Sequence, residues 1–192
     1  MGNSEIRDKF VSKIDGLSDY IGLVLVDSDN YQDANTKLIE HIIKERKIPG
    51  IYVTLNKPYD IIKRKFEKEG IDTRLIIFID GITKTAKGNP TKVKNCLFIG
   101  SPEKLSDIGL AVDQAVKSLP GKNKFVFFDS LTTLLIYNKE GTVARFMHFL
   151  TGRMRSWKVE GVVLSLHKGD SQELIDQLSQ FCDFSISIKG GK

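Results

Sequence analysis

Cysteine is scarce in this chain, with only Cys96 and Cys182 in 192 residues. Two thiols cannot form a disulfide framework, and both lie inside apolar stretches, so they are expected as buried free thiols of a reducing compartment. Long hydrophobic runs are missing as well. The longest falls far short of the ~18 residues that span a bilayer. The opening Met1-Gly2-Asn3-Ser4-Glu5-Ile6 has no apolar h-region, and Ile6 stands where a myristoylation signal needs Ser or Thr. The expectation is a cytoplasmic protein with no membrane contact. His41, His148 and His167 have no paired spacing with one another or with cysteine, which argues against a zinc site. No Gly-x-Ser-x-Gly elbow occurs, and Ser165 lies within a strand pattern, so a hydrolase triad is not expected.

What is present is ordinary globular material. Apolar types make up 41% and charged types 28%, with a mean hydropathy of −0.17; collagen, a disordered tail and a chain too polar to collapse are all excluded. At this length a folded chain hides about 70% of its extended surface, enough for a core without staples. One domain over residues 1–192 is expected, with an N-terminal helix and linker over 1–18. Lys plus Arg total 29 against 24 Asp plus Glu, a net charge of +5. That surplus aids approach to polyanions without establishing that they bind.

Apolar runs alternate with amphipathic segments along the whole chain. Strands are predicted at Ile21–Val26, Ile51–Leu55, Leu75–Ile79, Cys96–Ile99, Phe125–Phe128, Val162–Leu166 and Phe184–Ile188. Between them fall helices: one opening the chain on Ile6, Phe10 and Ile14; one capped by Asp33 and carrying Ala34, Leu38 and Ile42; one entered at Pro58 and stopped by Gly70; and one from about Pro102 to Leu119. A further helix carries Phe146, Phe149, Leu150 and Met154, and a last one Leu174, Ile175 and Leu178. Phe10, Phe66, Phe146 and Phe149 are assigned to the core. Continuous apolar strands alternating with helices define an α/β three-layer sandwich around a mostly parallel sheet. The exception is the stretch 81–95, predicted as a basic flexible loop holding Lys84, Lys87, Lys92 and Lys94 with no acid.

In open α/β sheets ligands sit beyond the carboxyl ends of the strands. Asp27–Thr36, Asn56–Lys57, Asp129–Ser130 and His167–Lys168 all follow strands and define the candidate site. Asp27-Ser28-Asp29-Asn30-Tyr31-Gln32-Asp33 is too poor for an EF-hand, with Gln32 and Leu38 at the positions that need Gly and Glu. It is read as a solvated acidic turn. His167, beside Lys168 and Asp170, is read as a loop imidazole at the ligand edge, and Arg145, Arg153 and Arg155 near Trp157 as an exposed helix face.

Val26-Asp27-Ser28-Asp29, Ile51-Tyr52-Val53-Thr54-Leu55-Asn56-Lys57-Pro58 and Phe127-Phe128-Asp129-Ser130-Leu131 together resemble, in order and spacing, the core of RecA-like proteins of the KaiC type. The resemblance covers nearly the whole chain and implies a RecA-like core. It also implies a Walker A loop after the first strand, a catalytic acid after the second and a Walker B Asp at Asp129. Here the pattern G-x-x-x-x-G-K-[ST] falls on Asp29, Ala34, Asn35 and Thr36, and only Thr36 fits. The glycines that open a backbone cradle and the Lys that offsets phosphate charge are absent. Asp27, Asp29 and Asp33 crowd the place instead. Like unit charges 4 Å apart repel by about 1 kcal/mol in water and about 4 kcal/mol at an effective dielectric of 20.

The family's water-polarising acid falls on Asn56 and Lys57, and its loss alone removes roughly 10²–10⁴ in rate. With no phosphate loop, Asp129 is expected to cap a helix starting at Ser130. These departures predict a domain that has lost ATP hydrolysis and takes neither ATP nor magnesium. Its work would be contact with a protein partner, such as an active RecA/KaiC-type paralogue or further copies of itself. The alternatives are an ATP-independent nucleic-acid-binding recombinase paralogue using the basic stretch 84–94, which has no interleaved aromatic, and an ATP-binding protein in which Thr36 and Asp129 hold magnesium.

Overall fold

In the computed structural model of the chain, the described residues are 3–167 and 172–189. The strands are β1 (Ile21–Val26), β2 (Gly50–Thr54), β3 (Ile76–Asp80), β4 (Cys96–Phe98), β5 (Phe125–Asp129), β6 (Glu160–Leu166) and β7 (Phe184–Ile188). They form one seven-stranded sheet in the order β4-β3-β2-β5-β6-β1-β7. Every pairing between these strands is parallel. Parallel strands need crossovers, and the crossovers carry the helices that cover both faces.

Side chains alternate across the sheet, so neighbours such as Tyr52 and Val53, or Phe127 and Phe128, enter opposite cores. One core packs Tyr52, Phe78, Phe127 and Leu164 against Ile6, Phe10, Leu38 and Phe66. These last four come from α1 (Asn3–Ile14), α2 (Tyr31–Glu40) and α3 (Tyr59–Lys68). The other core packs Leu23, Val53, Phe128 and Val163 against Val112, Leu134, Leu150 and Leu174. Those come from α5 (Leu105–Ser118), α6 (Leu131–Tyr137), α7 (Glu140–Trp157) and α8 (Gln172–Ser179). The three-layer α/β architecture is as the apolar periodicity predicts.

Local differences have local causes. Asn30, not Asp33, occupies the N-cap of α2, because the chain after β1 winds at once into a 3₁₀ turn over Ser28–Asn30; Asp33 lies in the first helical turn. Past Glu40 the helix widens into a π-helical turn over His41–Glu45. The stretch 81–95 is not loop throughout: α4 (Thr83–Lys87) forms within it. Its start is fixed by the buried Asp80 carboxylate, which accepts from the N–H groups of Ile82 and Thr83 at 2.7 and 2.8 Å and from the Thr83 hydroxyl at 2.5 Å. The same carboxylate accepts from the Tyr59 N–H at 2.7 Å and so caps α3 as well. Phe10, Phe66 and Phe146 are buried as expected, but Phe149 is 57% exposed. Both cysteines are free thiols; Cys96 is buried and Cys182 half-buried, and burial pushes the Cys182 thiol up to about 12.

Candidate functional site at the carboxyl edge of the sheet

Parallel register brings the ends of β1, β2, β5 and β6 to one edge, since Thr54 pairs with Asp129 and Asp129 with Leu164. At that edge stands Asp129, buried at the end of β5. It does not cap the following helix; Ser130 holds the N-cap position of α6, and its hydroxyl lies 3.2 Å from that of Thr133. The Asp129 carboxylate is instead enclosed by donors from two other elements. The Tyr31 hydroxyl donates to Oδ1. The Asn35 amide and the Tyr52 hydroxyl donate to Oδ2 at 2.8 and 2.5 Å. Asn35 also reaches the Tyr52 oxygen at 2.5 Å.

Burial pushes Asp129 up to about 8, against these donors, which favour its charged form. Burial likewise raises the Tyr52 phenol, which keeps its proton and remains a donor. The space left among Tyr31, Asn35, Asn56, Lys57 and Asp129 is about 20 Å³. That holds a water molecule and nothing as large as a phosphoryl group.

The remaining predicted residues are placed as follows. The segment after β1 has no open loop: the Asn30 N–H donates to the Asp27 carbonyl at 3.0 Å, so this amide is spent on the 3₁₀ turn. Asp29 is exposed and Ala34 is fully buried in the core. Thr36 is buried, and its hydroxyl turns back to the Gln32 carbonyl at 2.8 Å. Beyond β2, Asn56 is exposed and Lys57 half-buried. Lys65 of α3 reaches the Gln32 carbonyl at 2.9 Å, and burial with the nearby Lys57 charge lowers its pKa. On the far side of Tyr31 lies a recess of about 270 Å³ lined by Ser28, Gln32, Ser130 and Thr133 together with Ile136 and Leu166, and by no cation among the described residues. A neighbouring recess of about 190 Å³ carries Asp27 and Asp29.

Asn35 and Asp129 thus meet, as the Walker pattern places them, while Asp29 and Thr36 stay apart from them. Tyr31 lay inside the predicted segment Asp27–Thr36 with no role assigned to it, and Tyr52 was not predicted as a site residue. Their signal was available only as one tyrosine opening the helix after the first strand and another within the second strand. His167 closes the edge, its Nε2 paired with the Ser187 hydroxyl and its N–H donating to the Val26 carbonyl at 2.9 Å. Its predicted neighbours Lys168 and Asp170 lie outside the described residues. Lys84, Lys92 and Lys94 are exposed, far along the sheet beside β4; Lys87 ends α4. Among the described residues, no group of three or more His, Cys, Asp or Glu is arranged to hold a metal ion, and no helix is long and apolar enough to cross a membrane.

The seven-stranded, all-parallel sheet covered on both faces, with its candidate site at the carboxyl edge, has a RecA-like α/β fold. It is similar to the crystal structure of the KaiC-like protein PH0186 from the hyperthermophilic archaea Pyrococcus horikoshii OT3, with a TM-score of 0.63 and 14% identity over 90% of this chain and 72% of that one. Residues 23–188 match the model of a family of unknown function, DUF7504, and the chain belongs to that family. No curated protein matches it.

Proposed function

We propose that this chain is a non-catalytic RecA/KaiC-like domain that neither binds nor hydrolyses ATP and serves as a regulatory or assembly partner in a protein complex. The observation that carries this reading is the Asp129 carboxylate, both of whose oxygens are taken by Tyr31, Asn35 and Tyr52. A magnesium ion held there would need those oxygens, and the space beside them is about 20 Å³. The residues present do not fit a magnesium–triphosphate group. The acidic recess at Asp27 and Asp29 repels a polyanion further, and Asn56-Lys57 offers no carboxylate to orient an attacking water. What the domain keeps is a stable scaffold with exposed surfaces.

Titration calorimetry with MgATP tests this. No binding heat is expected up to about 1 mM, where an interaction is worth only about 4 kcal/mol, and phosphate release should stay at the buffer rate. Micromolar affinity, or turnover that Asp129→Ala abolishes, would overturn the reading.

A further inference from the structure

We propose that the outer face of α5 and α7 is the docking surface for a second copy of this chain, with α5 of each copy lying on α7 of the other. The two helices lie side by side and in step. Arg153 donates to Asp113 at 2.5 Å, a pair 40 residues apart, and a Cβ built on Gly109 would meet Phe149 Cε1 at 3.5 Å, at the same offset. Gly109 leaves the space between them open, and a groove of about 520 Å³ runs there, lined by Leu105, Gly109, Leu110, Phe146 and Phe149. Leu110 is 59% and Phe149 57% exposed, large apolar side chains turned to solvent on adjacent helices. Leu110 also borders the next recess, with the exposed Leu97 of β4, so the apolar strip continues to the sheet edge.

The charges choose the occupant. Positions three and four apart share a helix face. On α5 the face reads Asp107, Leu110, Asp113; on α7 it reads Arg145, Phe149, Arg153. One helix thus presents an apolar side chain between two acids and the other an apolar side chain between two arginines. A two-fold axis running along the helices puts each on its complement twice over, the self-matching that an isologous interface requires. Leu110 then packs on Phe149 of the second copy, and Asp107 meets Arg145 of the second copy. Asp113 is already held by Arg153 and Lys117 of its own chain, so the Asp107–Arg145 pair is the new charge contact. Docking here needs nothing from the Asp129 site, so neither reading depends on the other.

Sedimentation velocity of the full chain, from about 1 to about 300 µM, tests it, spanning the weak end of affinities seen for interfaces of ordinary size. The expected result is a monomer–dimer equilibrium that Leu110→Ser and Phe149→Ser each weaken by about tenfold or more, as loss of a central anchor does. Asp107→Arg and Arg145→Asp should each weaken it, and the double variant should restore it to within about threefold, because the pair is only reversed. Circular dichroism of each variant checks that these exposed substitutions leave the fold intact. A wild-type chain that stays monomeric throughout the range overturns the proposal. A dimer indifferent to both serine variants, or a double charge reversal that does not recover, overturns it equally.

Discussion

Asp129 is a carboxylate placed where its proton matters for folding. In the unfolded chain it ionises near the ordinary Asp value of about 3.9, whereas burial lifts it to about 8 in the fold. Between those values the folded state binds a proton that the unfolded state has released, so the contribution of Asp129 to stability is full at low pH and is lost as pH rises through about 8. Thermal melts of the wild type should show this fall from pH 5 to pH 8, amounting to a few kcal/mol at about 1.4 kcal/mol per pKa unit. Asp129→Asn, which cannot ionise and still accepts from Tyr31, should flatten that part of the profile. A parallel slope in the variant would show that some other group is responsible. The pairing of Asn35 with Asp129 was half legible, since the Walker pattern brings both positions to one place. That Tyr31 and Tyr52 complete the enclosure was not, because strand and helix patterns locate a tyrosine ring without saying where its hydroxyl ends.

Among the elements, strands were the most legible. Unbroken runs such as Phe125–Phe128 and Ile76–Ile79 are buried on both faces and leave no competing period. Phe149 was misread for the opposite reason. Its spacing from Phe146 and Leu150 suits a helix core, but among the described residues no further element covers the outer side of α7, and periodicity cannot count layers. Helix α4 was missed because the carboxylate that organises it, Asp80, belongs to the preceding strand. Glycine in a strand carries its own information. Gly50 at the start of β2 faces Phe125, and an added Cβ would lie 2.3 Å from both the Phe125 carbonyl oxygen and its ring. Backbone cannot give way as a flexible side chain does, so Gly50→Ala should cost about 3 kcal/mol, at the upper end of overpacking penalties. Urea denaturation would measure it. A midpoint unchanged from wild type would mean that β2 and β5 separate more readily than their register indicates.

For the whole molecule, the sheet order governs what can fold without what. The first strand of the chain pairs only with the sixth and seventh, Ile21 beside Gly161 and Gly22 beside Phe184. None of this was legible from the strand pattern alone, which locates strands and their crossovers but not their order across the sheet. A chain ended after Lys158 loses both neighbours of β1 and should show no cooperative thermal transition. A sharp melt from that fragment would refute the expectation. Contacts this distant in sequence also slow folding, because loop closure is paid before they form.

The same order sets a schedule during synthesis. Ile21–Val26, an apolar ribbon with both edges bare, leaves the ribosome well ahead of the two strands that pair with it. For most of that interval the nascent chain carries a sticky, unfinished segment, so its yield in the cell depends on translation speed and on chaperones that shield such segments until the last strand arrives.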